Sequence, residues 1–175
     1  MPIEIKSPKE VEAMRVAGRM AGETLVLVAE TLRAGMTTLD IDAFVHEDTV
    51  RRGARPAPLN YRGFPKSVCT SINDVVCHGI PGPQVLKDGD IVNVDVTTIF
   101  EGFHGDTSAT FYIGTPSADA RRVTETARKA LELGIAEVKD GARFGDIGAA
   151  IQEYVEAQGC SVVRDFVGHG IGRRF

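Results

Sequence analysis

The sequence predicts a mixed α/β (α+β) domain with an internal duplication, and three observations carry that prediction. Helical apolar patterns occupy both ends of the chain, a strand-rich stretch lies between them, and one helical segment recurs at a fixed distance. At 175 residues, 43% of them hydrophobic, the chain suits one domain with a substantial core.

The first helix opens on Ser7-Pro8-Lys9-Glu10: a capping Ser, Pro at the first helical position, and Glu three residues after the cap. Val11, Met14, Ala21, Leu25, Val28 and Leu32 follow at helical spacing, which predicts one buried stripe and a stop at Gly35. A second helix is expected over about 38–52, closed by Gly53, and Pro56, Pro58, Gly63 and Pro65 then impose a loop. Residues 67–72 and 75–80 read as short strands around Asn73-Asp74, and 91–100 with 103–113 as a longer hairpin turning at Glu101-Gly102. Helices return at about 117–139 and 145–158.

Residues 35–53 align without a gap on residues 141–159, at a constant offset of 106. Asp40 meets Asp146, Ile41 meets Ile147, Ala43 meets Ala149 and Glu47 meets Glu153; glycines bound both segments, and a long helix precedes each. This predicts a first repeat unit over about 1–113 and a partial second unit over about 117–175 within one domain over 1–175, the second unit ending about halfway.

Composition excludes several classes of partner. Twenty Lys and Arg against twenty-four Asp and Glu give a net charge of −4 with no basic block, so no nucleic acid is indicated. No apolar run reaches membrane-span length and the N-terminus lacks a signal-peptide core, which predicts a cytoplasmic protein away from membranes. Cys69, Cys77 and Cys160 lack C-x-x-C spacing and are expected to be free thiols.

The chemistry concentrates in the hairpin. A two-residue turn at Glu101-Gly102 sets Phe100 opposite Phe103 and Thr97 opposite Asp106, leaving Asp95 diagonal to Asp106. With side chains alternating, Asn93, Asp95 and Thr97 share a face with His104, Asp106 and Ser108, while Val92, Val94 and Val96 face the other way. Diagonal neighbours lie about 7–8 Å apart at the backbone, close enough for two carboxylates to converge on a cation. A solvated polar strand face is the plain alternative. Two histidines add weight to the cation: His78 in V-V-C-H-G-I-P-G and His169 in F-V-G-H-G-I-G, each beside a glycine that lets backbone approach a ligand. His46, on a helix, is expected to be solvated, and His104 to flank the carboxylate face.

Taken in order, Y-R-G-F-P-K-S-V-C-T-S-I-N-D-V-V-C-H-G-I-P, N-V-D-V-T, H-G-D-T-S-A-T-F and G-H-G-I-G make the chain similar to type I methionine aminopeptidases. These belong to the metalloprotease clan with the two-fold pita-bread (creatinase/aminopeptidase) fold, and the resemblance covers essentially the whole chain. It implies two divalent metal ions, cobalt, manganese, iron or zinc, with Asp95, Asp106 and His169 as ligands and Asp106 bridging. It implies that His78 hydrogen-bonds the substrate near the scissile bond, and that Tyr61, Phe64, Cys69 and Phe175 line a methionine pocket. The implied substrates are N-terminal methionyl peptides and nascent chains at the ribosome.

The family also carries a second histidine after the residue matching Phe175, and two later glutamate ligands, which this sequence does not contain. Weakened metal binding is the corresponding expectation. Two other readings stay open on the sequence: a degenerate paralogue that binds peptides or proteins without turnover, and another pita-bread hydrolase such as a proline-specific aminopeptidase.

Overall fold

The computed structural model describes residues 4–174. Within them the chain forms two compact units, one of residues 4–116 with 170–174 and the other of Ser117–His169.

In the first unit, α1 (Pro8–Thr31) and α2 (Thr38–Arg51) precede an antiparallel sheet of β1 (Arg55–Pro56), β2 (Cys69–Ile72), β3 (Ile91–Phe100) and β4 (Phe103–Tyr112). β4 pairs with β3 along its whole length, so β2 and β1 share the other edge of β3, opposite residues 92–95 and 98–99 respectively. Helix α1 lies on β3 and β4. Its start is the capping box expected from Ser7 and Glu10, and α2 starts the same way on Thr37 and Asp40.

Alternation along β3 builds the core. Val92, Val94 and Val96 are buried and join Ala21, Leu25 and Val28 of α1 and Ile41 and Val45 of α2 in one cluster. Each of the buried Val, Leu and Ile side chains contributes about 1.5–3 kcal/mol relative to exposure. The intervening Asn93 and Asp95 are only half-buried, on the opposite face.

Three sequence expectations need correction. Helix α1 ends at Thr31, not at Gly35. Residues 35–38 instead bond across to the 82–86 segment: Gly35 N–H to Leu86 O at 2.9 Å, Leu86 N–H to Met36 O at 2.8 Å, and Thr38 N–H to Gln84 O at 3.1 Å. Leu32 accordingly leaves the helix in an extended conformation and Gly35 turns the chain with φ +90°, so the last expected turn is not helical. Val11, expected in the stripe, is 43% exposed one turn from the helix start, while Ala17 and Thr24 are buried in it. The expected strand over 75–80 is irregular. A tight turn closed by Val75 N–H to Ile72 O, and a left-handed His78 (φ +55°), break the extended run.

In the second unit, α3 (Ala118–Ala136) and α4 (Phe144–Ala157) pack together, with Gly134 against Ile147 and Ile151. The two aligned segments are alike in local structure. Helices α2 and α4 are both 14 residues long at an offset of 106, and the glycines bounding each, Gly35 and Gly53, Gly141 and Gly159, all have positive φ.

Candidate metal and substrate site

The hairpin has the register that the sequence predicts: Phe100 opposite Phe103, Thr97 opposite Asp106, Asp95 opposite Ser108. Glu101 (φ +48°) and Gly102 (φ +79°) form the two-residue turn that sets it, both in the left-handed region that such a turn needs. Asp95 and Asp106 are therefore diagonal on one face, each half-buried. The Thr97 hydroxyl donates to Asp106 Oδ1 at 3.1 Å.

Cys69 joins this face from β2, where it is paired with Asp95. Its thiol is pushed up to about 12, first by burial and then by the charges of Asp95, Cys77 and Asp106. Cys77 is raised too, by burial and by Asp95. The face is thus electronegative. Two carboxylates there suit a divalent cation.

His78 stands in the loop after β2, side chain exposed. Tyr61 and Phe64 come from one tight loop: Tyr61 opens a 3-10 turn (Tyr61–Gly63), Phe64 N–H bonds back to Tyr61 O at 2.9 Å, and Asn60 N–H bonds to Phe64 O at 2.8 Å. Tyr61 is 39% exposed and Phe64 half-buried. His169 belongs to the second unit, in an irregular, exposed stretch. Phe175 lies outside the described residues. Among the described residues no group of three or more His, Cys, Asp or Glu side chains is arranged to hold a metal ion.

Two histidines have roles the sequence did not reveal. His46 is bonded through Nδ1 to Ser67 Oγ at 2.8 Å, instead of being merely solvated, while Asp42 accepts the Ser67 N–H at 2.7 Å. Helix α2 thereby fastens the chain between the Tyr61 loop and Cys69. His104 is buried, and its Nδ1 and its backbone N–H each meet Gly172 O at 2.9 Å. A carbonyl only accepts, so Nδ1 carries the proton. An i,i+4 pair of Asp42 and His46 on a helix is a signal for the first; nothing in the sequence marks the second.

This fold is shared with metal-dependent hydrolases of pita-bread architecture. X-Pro aminopeptidase from Thermotoga maritima superposes with a TM-score of 0.80 at 22% identity, over 97% of this chain and 47% of that one. The chain belongs to metallopeptidase family M24, whose sequence pattern matches residues 12–175. Within it, methionine aminopeptidase A of Synechocystis sp. is 53% identical over 174 residues, 99% of this chain and 69% of that protein. The crystal structure of methionine aminopeptidase from Rickettsia prowazekii has a TM-score of 0.98 at 48% identity, over 99% of this chain and 70% of that one.

Proposed function

We propose that this chain acts as a methionine aminopeptidase, removing the initiator methionine from new proteins by metal-dependent hydrolysis. The observation that carries the reading is the diagonal placement of Asp95 and Asp106 on one electronegative face. Half-identical relatives named for that activity support it.

In this reading Asp95 and Asp106 would hold the divalent metal, and His169 is the further ligand that the family resemblance assigns. Bound there, such ions lower the pKa of water and polarise the scissile carbonyl. The protein's own groups do the rest. His78 donates a hydrogen bond to the substrate beside the scissile bond and stabilises charge developing on it. Tyr61 and Phe64 offer aromatic faces, and Cys69 a sulfur, to an unbranched thioether; Phe175 completes the pocket in the family pattern. The Cys69 thiol stays protonated at neutral pH, so it packs without competing as an anion. Nascent chains at the ribosome, in the cytoplasm, are the proposed substrates.

The test is release of methionine from a Met-Ala-Ser peptide with cobalt, manganese, iron or zinc added in turn, beside calorimetric titration of each metal. Metal-stimulated release that Asp106→Ala abolishes, together with weakened metal binding in Asp95→Ala, is the expected result. Release that survives Asp106→Ala undiminished would sink the assignment.

A further inference from the structure

We propose that Ser71 is a positioning residue for His78: its hydroxyl fixes the peptide plane that follows the histidine and so sets where the imidazole is presented. This rests on the reading of His78 as the group that meets substrate. His78 has φ +55°, a left-handed conformation that is uncommon for a residue with a Cβ and costs energy unless its surroundings hold it. A two-point grip on the next residue helps to hold it. The Gly79 N–H donates to Ser71 Oγ at 3.2 Å, and the Thr70 N–H donates to Gly79 O at 2.8 Å. The N–H of Gly79 belongs to the same peptide plane as the His78 carbonyl, so the Ser71 bond restrains the ψ of His78 directly.

The grip depends on close approach. A Cβ on Gly79 would stand 2.1 Å from Thr70 O, so only glycine brings this backbone onto β2. The direction of the grip is also set by register. Cys69 pairs with Asp95 and Ser71 with Asn93, and both β2 residues share the parity that puts Asp95 on its face. Ser71 is buried in β2, so its hydroxyl is held by the sheet and not by the loop that it restrains. The strand that borders the carboxylate face therefore also carries the anchor for His78.

The experiment compares the full chain with Ser71→Ala, which lacks the acceptor, and Ser71→Thr, which keeps it. Gly79 amide exchange and His78 imidazole resonances are read by NMR without substrate; kcat and KM are read on the Met-Ala-Ser peptide with cobalt. In Ser71→Ala we expect exchange of the Gly79 amide to speed up by about tenfold or more. We expect kcat to fall roughly tenfold with KM within about twofold, the scale typical of removing an orienting partner. Ser71→Thr restores both. If Ser71→Ala fails to fold, Ser71→Cys, a weaker acceptor at the same place, gives intermediate values of each. Parent-like Gly79 exchange and His78 resonances in the alanine variant, or faster exchange with undiminished kcat, would overturn the proposal. Full activity in His78→Ala would instead remove the assigned role of His78, and the exchange and resonance data would still decide whether Ser71 positions it.

Discussion

The Thr97 hydroxyl, buried on β3, donates to Asp106 Oδ1 directly across the hairpin at 3.1 Å. That bond engages one carboxylate oxygen on the sheet and restrains the rotation of the whole group. A carboxylate restrained in this way is prepared for a cation. Thr97→Val keeps the shape of the side chain and removes the donor. Divalent-metal affinity is expected to fall by about 10- to 100-fold, as for loss of other partners that orient ligands, with little change in melting temperature. Calorimetric titration of manganese or cobalt checks it; unchanged affinity shows that Thr97 does not orient Asp106.

Gly105 separates His104 from Asp106 at the point where α1 crosses β4. A Cβ there would meet Ala17 C at 2.2 Å and O at 2.3 Å, and Gly18 N at 2.3 Å. All three are backbone atoms of a packed helix, so no side-chain rotation relieves the clash. Gly105→Ala is expected to destabilise the fold by about 3 kcal/mol or more, at the upper end of overpacking effects. Urea unfolding followed by circular dichroism measures this, and a loss below about 1 kcal/mol would show that α1 shifts away easily.

Much of this hairpin was legible because a two-residue turn leaves no freedom of register. Phe100 opposite Phe103 fixes every later pair, including the two carboxylates. The stretch 75–80 was not legible, because Val75 and Val76 carry strand propensity yet are 44% and 64% exposed. Propensity without a partnering edge does not make a strand, and the left-handed turn at His78 removes the edge. Helix α1 was overextended for a related reason: bonds from 35–38 to 82–86 are long-range and leave no periodic trace. His104 was placed on the correct face, but its bond to Gly172 joins residues 68 apart, which no local pattern encodes.

Asp48 supplies a pH dependence of stability. Burial raises its pKa, but the Thr24 hydroxyl and the Arg51 and Arg52 guanidinium groups outweigh burial and hold it below its ordinary 3.8. A carboxyl with a depressed folded pKa contributes stability that is fully present above about 3.8 and is lost as pH falls through the folded value. Asp48→Ala is therefore expected to cost about 1.5–3 kcal/mol at pH 7, the scale of hydrogen bonds to a charged group. The gap from the parent should shrink once pH drops below 3.8. Urea unfolding of both proteins from pH 7 down to pH 3 tests the sign; a gap that widens on acidification contradicts it.

Cys69 gives a chemical readout of the electronegative face. With its thiol at about 12, it holds a negligible thiolate fraction at pH 8, and its side chain is buried besides. Iodoacetamide at pH 8 is expected to spare Cys69 in the native protein and to label it after unfolding in urea. Peptide mass spectrometry locates the label, and rapid native labelling at Cys69 would show that the face is less closed or less negative than its geometry implies.

The duplication makes a packing prediction in the second unit. Gly134 corresponds to Val28 at the offset of 106, and Ile147 and Ile151 correspond to Ile41 and Val45. In the first unit Val28, Ile41 and Val45 share one core cluster, whereas in the second Gly134 admits the larger Ile151. Bulk has been exchanged between facing positions, which is how packed interiors keep their density. A Cβ on Gly134 would meet Ile151 Cδ1 at 2.9 Å and Cγ1 at 3.1 Å, atoms near the end of a side chain that is itself replaceable. Gly134→Ala alone therefore sets a clash against a gain in helix propensity of about 1 kcal/mol, and the net change is expected to be near zero or destabilising. Ile151→Val alone leaves a small void and costs about 0.5–1.5 kcal/mol. Together the two changes move bulk toward the first unit's arrangement, with the void receiving the new methyl group. The double variant is expected to be more stable than the sum of the singles by about 1 kcal/mol, a coupling of the size seen for residues in contact. Thermal and urea unfolding of the four proteins close the cycle, and strict additivity would show that these equivalent positions do not pack on one another.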